Sequence, residues 1–290
     1  MKTRTRNYEP GLPFTMDTSH SHLLTIDLLG EGDLKTASTI AQSAANQAGL
    51  TGKKDYSTYV KIHNRPMLNS LLLDIERNCD ENNNPIIVFD GHGCSNRGLL
   101  ISSTNMYVPW MELQEELRKI NIKTRNKTGI IISSCYGMAV CNGIKINEPV
   151  PFQFCIAPKN EIAAGVVETK MQSFMLVLLK TQSMDLAIKE LQPDYDYFHS
   201  YGHFYSNFIG YLRKYSRGSG RQKFLEELTT KIYQAQPVSG GNIKAARKKA
   251  RSGIDQQKTH FARLSDVFLH GCVGLPFEKI DEYARAWPKN

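Results

Sequence analysis

The chain has 290 residues, of which 41% are hydrophobic and 22% are charged, a composition that predicts a globular protein of one large domain or two modest ones. No apolar run reaches the roughly 18 residues that a membrane helix needs, and no apolar segment follows the basic N-terminus, so we expect neither a membrane span nor a signal peptide. The six cysteines include no CxxC pair, which favours free thiols in a reducing cytoplasm over a disulfide framework.

Strands and helices alternate along the first two thirds of the chain. Short apolar, β-branched or aromatic runs predict five strands, at 22–30, 56–63, 85–90, 128–135 and 152–158. Helical patterns predict 33–49, a helix that begins after an Asn64 N-cap, 110–120, and the segments MQSFMLVLLK and SMDLAIKELQ. RGLLIS and MYVPW predict a hairpin outside the main sheet. The alternation predicts an α/β domain over residues 1–192, with a mainly parallel sheet flanked by helices.

The sequence changes character after Gln192. Residues 193–290 begin with an unusually aromatic segment and continue as helices interrupted at SRGSG and PVSGGN, which predicts a helical region packed on or beside the sheet domain. Residues 1–192 carry 20 Lys and Arg against 19 Asp and Glu, whereas residues 193–290 carry 16 against 9. The net charge of +8 therefore belongs almost entirely to the C-terminal third.

The densest positive charge lies in the segment NIKAARKKARSG, residues 242–253. Its five cations, with no acid among them, are Lys244, Arg247, Lys248, Lys249 and Arg251. Such a run is either a solvated helix face or a surface that docks a phosphate-rich activator, nucleic acid or an acidic protein partner. A third interpretation is a processing site, at which a protease that prefers basic residues would cut its own chain.

Two of the predicted strands end in side chains suited to nucleophilic catalysis. In an open α/β sheet, reactive groups collect where the strands end at their carboxyl edge. The third strand ends in the run DGHG, which contains His92, and the fourth ends in SSCYG, which contains Cys135 43 residues later. A single helix between the two strands would make them parallel neighbours, so we expect the imidazole and the thiol to face one cleft.

Each part of these two runs has a chemical purpose in that arrangement. Glycines on both sides of His92 let the chain turn sharply and bring bare backbone close to a substrate. Cys135 lies where a strand stops and a helix is predicted to begin, and the positive end of a helix favours a thiolate. The N–H groups of Gly93 and Cys135 are candidates for an oxyanion hole, and His92 is the candidate proton carrier.

The blocks VFDGHG and IIISSCYG, in this order, resemble those of the caspase-like (clan CD) cysteine peptidases, which include caspases, metacaspases, legumains, gingipains and separases. The resemblance covers roughly residues 20–192 and implies the caspase-like α/β fold. It implies a catalytic dyad of His92 and Cys135, with Gly93 as an oxyanion donor. The run Gln-Ala-Cys-Arg-Gly of caspases does not occur here, so aspartate specificity does not carry over.

The same resemblance implies where a specificity pocket would lie: after the first strand, before the nucleophile and after the fifth strand. These segments contain Glu31, Asp33, Ser133 and Glu161. Acidic side chains in such a pocket favour a substrate Lys or Arg by charge pairing. The alternative for each of these residues is a solvated loop position.

Other cysteines and histidines offer competing interpretations. Cys94 lies two residues from His92 and is a rival nucleophile, although its loop would have to fold back on itself. The run at 270–272 repeats the letters HGC but follows a helical segment, which predicts a helix end. His199 and His203 have the spacing to share a metal on one helix face, although an aromatic helix face is the simpler interpretation, so we expect no metal site.

The sequence favours a cytoplasmic cysteine endopeptidase that hydrolyses a protein or peptide substrate without a cofactor and is regulated by a partner, a ligand or cleavage. A second hypothesis is a catalytically silent module on the same fold, whose basic C-terminal region binds nucleic acid or an acidic partner. A third retains the dyad but acts on another amide or ester. Selective labelling of Cys135 by a thiol-directed peptide electrophile distinguishes the first hypothesis from the second.

Overall fold

The computed structural model describes residues 20–53, 55–216, 218–235, 242–272 and 274–286. Within them the chain divides after Ser200 into two units. The sequence analysis placed this boundary at Gln192. The boundary lies later because the segment that follows Gln192 forms one more strand of the main sheet.

Short apolar runs form the strands of the first unit, and segments with helical periodicity connect them. In chain order the elements are β1 (His22–Asp27), α1 (Thr36–Leu50), β2 (Ser57–Lys61), α2 (Arg65–Asn78), β3 (Pro85–Asp90), β4 (His92–Cys94), β5 (Gly98–Ile101), β6 (Met106–Val108), α3 (Trp110–Lys123), β7 (Gly129–Ser133), β8 (Phe154–Pro158), α4 (Ala164–Thr181), α5 (Met184–Leu191) and β9 (Tyr195–His199). The five predicted strands and the helices between them are confirmed. The Asn64 cap is confirmed too, since its side chain accepts a hydrogen bond from the Met67 N–H at 2.9 Å.

The main sheet has six strands in the order β2-β1-β3-β7-β8-β9. Every neighbouring pair is parallel except β8 and β9, which run antiparallel. The strands that precede His92 and Cys135 are β3 and β7, and they pair directly, as the single intervening helix α3 predicts. The prediction of a mainly parallel sheet is therefore confirmed.

Helices cover both faces of the sheet. On one face α1, α4 and α5 bury a continuous apolar cluster against alternate residues of the central strands, including Val88, Ile131 and Ile156. Because successive side chains of a strand point to opposite faces, residues such as Phe89 and Ile130 are left for the face of α2 and α3, which pack against each other. A parallel sheet buried on both faces accounts for the nearly continuous apolar strand sequences.

A second, three-stranded sheet adjoins the end of β3. It consists of β4, β5 and β6 in antiparallel order, so the predicted hairpin is confirmed and gains a third strand. That third strand contains His92, which the sequence analysis placed in a turn. A strand of three residues is too short to show the alternation of apolar and polar residues by which a strand is predicted from sequence.

The described residues of the second unit are helical. Its helices are α6 (Ser200–Tyr215, which begins at the last residue of the first unit), α7 (Gly218–Gln234), α8 (Ile243–Asp255), α9 (Gln257–Phe268) and α10 (Phe277–Ala286). The aromatic segment noted in the sequence supplies a core in which Phe208 and Phe261 meet edge to face, with ring centroids 5.0 Å apart. No helix of the described residues has the length and apolar character that a membrane span requires.

Candidate active site

The carboxyl edge of the main sheet carries a row of polar residues in register. Lys61 at the end of β2 pairs with Asp27 of β1, Asp27 with Asp90 of β3, and Asp90 with Ser133 of β7. Parallel pairing places the ends of these strands side by side, so four polar side chains from distant parts of the sequence meet at one edge. The candidate site lies at the Asp90–Ser133 end of this row.

A pocket of about 120 Å³ opens at that edge. Its walls come from the β1–α1 loop, the ends of β3 and β7, the start of β4, and the β8–α4 segment. His92 and Cys135 both line it. The sequence-based expectation that the two side chains reach one cleft is therefore confirmed.

A carboxylate holds the imidazole of His92. The Nε2 atom lies 3.1 Å from Oδ1 of Asp33 in the β1–α1 loop, while the other oxygen of Asp33 accepts a hydrogen bond from the Gly30 N–H at 2.6 Å. Burial tends to raise the pKa of Asp33, but the Gly30 N–H and the His92 ring outweigh it and lower that pKa below its usual value. An ionised Asp33 orients the ring with its proton on Nε2 and leaves Nδ1 as the basic atom.

The sulfur of Cys135 is held from the opposite wall. The Ile162 N–H donates to Sγ at 3.4 Å, and the Ile162 carbonyl oxygen lies 3.7 Å from the same sulfur. The next residue, Tyr136, has a φ of 58° and donates its N–H to the Asn160 carbonyl at 3.0 Å. Its hydroxyl donates to Glu161 at 3.0 Å. The turn after β7 is therefore bound to three successive residues of the β8–α4 segment, Asn160, Glu161 and Ile162.

The helix predicted after Cys135 is wrong in type. The chain forms a five-residue 3-10 helix over Gly137–Cys141, entered through the left-handed Tyr136. A helix this short has little aligned dipole, so the helix-dipole argument for a Cys135 thiolate does not hold. The hydrogen bond from Ile162 is the polar contact that Sγ has instead.

Gly93 brings the two strand ends into contact. A Cβ at this position would lie 2.0 Å from the Cys135 carbonyl oxygen and 2.8 Å from Ser134 Oγ. Only glycine permits so close a backbone approach. The resemblance to caspase-like peptidases implied an oxyanion role for Gly93, and the observed contact places its backbone directly beside that of the candidate nucleophile.

Asp90 is a buried acid of the pocket lining that the sequence analysis did not identify. It is 2% exposed, lines the pocket, and accepts a hydrogen bond from Thr36 Oγ1 at 2.5 Å. Burial raises the pKa of Asp90 to about 7, the Thr36 bond opposes this shift, and the negative Asp27 adds to it. Asp90 belongs to the sequence VFDGHG. An acid at the last position of an otherwise apolar strand is the sequence feature that could have identified it.

The carboxylate of Asp27, the neighbour of Asp90 in the row, has different hydrogen-bond partners. Its carboxylate accepts bonds from Lys61 Nζ at 3.0 Å, the Tyr59 hydroxyl at 2.5 Å and the Leu29 N–H at 2.9 Å. A cation and two further donors thus surround one carboxylate of the pair, whereas the donors to Asp90 are the neutral Thr36 hydroxyl and the Gly91 backbone N–H. In the part of the chain that the structure describes, this edge therefore places an acid that has an ion-pair partner next to one that has none.

The predicted specificity residues divide into two groups. Asp33 and Ser133 line the pocket, and the Ser133 hydroxyl faces that of Tyr195 without a well-formed hydrogen bond among the described residues. Glu31 is exposed and Glu161 is bonded to the Tyr136 hydroxyl, and neither is among the described residues that line the pocket. For those two acids, the solvated loop interpretation fits better.

The rival residues lie elsewhere. Cys94 is on β4 outside the described pocket lining, although a hydrogen bond from Arg97 lowers the pKa of its thiol. His199 ends a strand whereas His203 lies in α6, so the pair does not share a helix face, and no metal-ligand cluster occurs among the described residues. The repeated HGC run follows α9, where residues 270 and 271 have positive φ, as a helix end predicts.

The five predicted basic residues lie on one helix of the second unit, α8, where each is exposed.

Searches of protein-family models and of curated proteins found no match to the chain.

We predict that Gly93→Ala lowers the free energy of unfolding by about 1–3 kcal/mol, because its methyl group would overlap the Cys135 carbonyl and force the two strand ends apart. Chemical denaturation measures this loss. Gly32→Ala, in the adjacent loop with nothing within 4 Å of its Cβ, is the matched control and should change stability by no more than about 0.5 kcal/mol. Equal stability of both variants would contradict the observed contact.

Proposed function

We propose that the protein is a cysteine endopeptidase of the caspase-like kind. The observation that carries the proposal is the shared pocket of Cys135 and His92 at the ends of two paired parallel strands, with Asp33 on the imidazole. The order and sequence of the two motif blocks support it further. A nucleophile, a proton carrier and a group that orients the carrier are the parts that thiol-dependent acyl transfer requires.

The reaction uses these residues in sequence. The sulfur of Cys135 attacks the carbonyl carbon of the scissile peptide, its proton passes to His92, and the carbonyl electrons move to oxygen. The N–H groups of Gly93 and Cys135 are the proposed donors to that oxyanion. Collapse of the intermediate breaks the C–N bond, and the leaving amine takes the proton from His92. Water, deprotonated by His92, then hydrolyses the thioester and restores the thiol.

The two groups are held independently before substrate arrives. Asp33 orients the imidazole from the β1–α1 loop, while Ile162 holds the sulfur from the β8–α4 segment. Such anchoring by separate neighbours keeps both side chains in position without requiring them to bond to each other, and a substrate carbonyl can enter between them. None of the six cysteines, all of them described residues, is in a disulfide, which suits a reducing compartment such as the cytoplasm.

The pocket favours a cationic side chain, Lys or Arg, next to the scissile bond. Its described lining contains Asp33 and Asp90 and no basic side chain other than His92. Among the described residues Asp90 is a buried acid without an ion-pair partner, and a substrate ammonium or guanidinium would provide one. This refines the sequence-based expectation, because the acid that supports it is Asp90 rather than Glu31 or Glu161.

A peptidyl electrophile that ends in arginine should label wild-type protein at one site, identified by peptide mass spectrometry. We expect Cys135→Ala to abolish the label and His92→Ala to slow labelling by about 10²–10⁴-fold, because proton transfer is lost. Cys94→Ser is the control and should label at the wild-type rate. Labelling that survives in Cys135→Ala but disappears in Cys94→Ser would contradict the proposal.

Asp33→Asn should lower kcat by about ten- to a hundredfold and leave KM nearly unchanged, because the ring loses the carboxylate that orients it. The loss is smaller than the roughly 10⁴-fold effect of a fully buried triad aspartate, since the Asp33 side chain is 29% exposed. Steady-state kinetics on a peptide substrate provide the test. Glu31→Gln removes the same charge from the same loop and should behave as wild type. A rise in KM alone would assign Asp33 to substrate binding instead.

Binding of a substrate with Lys or Arg before the cut should strengthen as pH rises from 6 to 8. Asp90 is protonated below its pKa of about 7 and negative above it, so the cation gains its partner only at the higher pH. We expect KM to fall over this range, and Asp90→Asn to raise KM at pH 8 by about tenfold and to remove the dependence.

Other polar groups face Asp90, namely Asp27 on β1, Thr36 on α1, His92 on β4 and Tyr195 on β9. A substrate with glutamine in place of the cation separates their effects, because its KM does not depend on the Asp90 charge. An equal pH trend in KM for the two substrates would exclude Asp90 as the cation partner.

A further inference from the structure

Two adjoining cavities lie along α7, α8 and α9 of the second unit. Their volumes are about 510 Å³ and 650 Å³, and Leu228, Gly253 and Gln256 belong to the walls of both. We call this continuous depression the α8 groove. Each cavity alone has the volume of a small-ligand site, so their continuity suits an elongated ligand.

Aromatic rings line one end of the α8 groove. Tyr211 of α6 and Phe224 of α7 meet edge to face at 89°, with centroids 6.4 Å apart, and the His260 ring lies 5.8 Å from Tyr211. All three side chains are only half-buried. Half-buried rings at the wall of an open cavity are platforms on which a planar ligand group can stack.

Cations line the same groove without acids to balance them. Arg263 stands at the aromatic end, and Lys248 and Lys249 stand at the other. All three are exposed, none forms an ion pair with a described residue, and no described acid lines either cavity. Two other cations of these helices do have acid partners, since Arg247 pairs with Glu226 and Arg221 with Asp255.

We propose that the α8 groove binds single-stranded nucleic acid, with bases stacked at the Tyr211 end and phosphates paired with Lys248, Lys249 and Arg263. Stacking rings beside unpaired cations in an elongated depression is the combination by which proteins hold single strands. A duplex offers these rings no free base faces, and an acidic peptide would use the cations but not the rings. The proposal is independent of the peptidase chemistry and rests on residues of the second unit alone.

Fluorescence anisotropy with the full chain and a labelled 12-nucleotide oligonucleotide tests this. Lys248→Gln/Lys249→Gln should weaken binding by about tenfold or more and reduce the slope of log affinity against log salt by about 1.4, or 0.7 per phosphate contact. The matched control, Lys244→Gln/Arg251→Gln, removes the same charge from the same helix outside the described groove lining. We expect it to change affinity by less than about threefold. Equal losses in the two double variants would overturn the proposal.

A second set of variants tests the aromatic end of the α8 groove. Tyr211→Leu should weaken binding by about tenfold through lost stacking, with thermal unfolding as the check on folding, and the exposed Arg263→Gln supplies a second variant that leaves the core intact. Competition by an unlabelled oligonucleotide at equal concentration supports the proposal. Equal competition by a duplex, by polyglutamate or by a mononucleotide would overturn it in favour of a duplex, an acidic protein or a small nucleotide.

Discussion

The parallel pairing of β3 with β7 is the constraint on which the candidate site depends. It aligns the ends of two strands, so that residues 43 positions apart in the sequence leave the sheet at one edge. The same register continues through β1 to β2 and collects two carboxylates, Asp27 and Asp90, as direct neighbours. Adjacent buried acids repel each other, and the fold relieves that repulsion unequally. Lys61 pairs with Asp27, whereas burial raises the pKa of Asp90 and the charge of Asp27 adds to that shift. This unequal compensation is the basis of the preference for a positively charged substrate side chain that we propose for the site.

The glycines on either side of His92 allow neighbouring residues to approach the backbone closely, and they do not adopt an unusual backbone conformation. The sequence analysis assigned them to a sharp turn, yet neither Gly91 nor Gly93 is among the glycines with positive φ. A Cβ on Gly91 would lie 3.0 Å from Leu28 Cβ, and one on Gly93 would overlap the Cys135 carbonyl. The absence of a side chain is therefore what the fold uses at both positions. A glycine pattern in a sequence does not distinguish these two needs, because both require only that the Cβ be missing.

Periodicity and composition accounted for the sheet, its parallel sense and the meeting of His92 with Cys135, because each of those follows from local patterns and connection lengths. What escaped prediction depends on tertiary context. β9 follows Gln192 in an aromatic segment that continues into α6, so its five residues were taken for part of a helical region. The environment of Asp90 depends on Thr36 and Asp27, which other elements bring next to it. The 3-10 helix after Cys135 was missed because a short apolar run suits either helix type.

The basic helix α8 shows how charge can be retained at the expense of local stability. Its buried side consists of Ala246, Ala250 and Ile254, which pack against α7, so apolar contact already holds the helix in place. On the other faces Lys244 and Lys248 stand four residues apart, as do Arg247 and Arg251, and each such like-charge pair costs about 0.2–0.5 kcal/mol in a helix. Glu226 offsets this cost at Arg247 alone among the described residues of the run. The described residues provide no such partner for Lys248 or Lys249, and these are cations that a polyanionic ligand in the proposed α8 groove would neutralise.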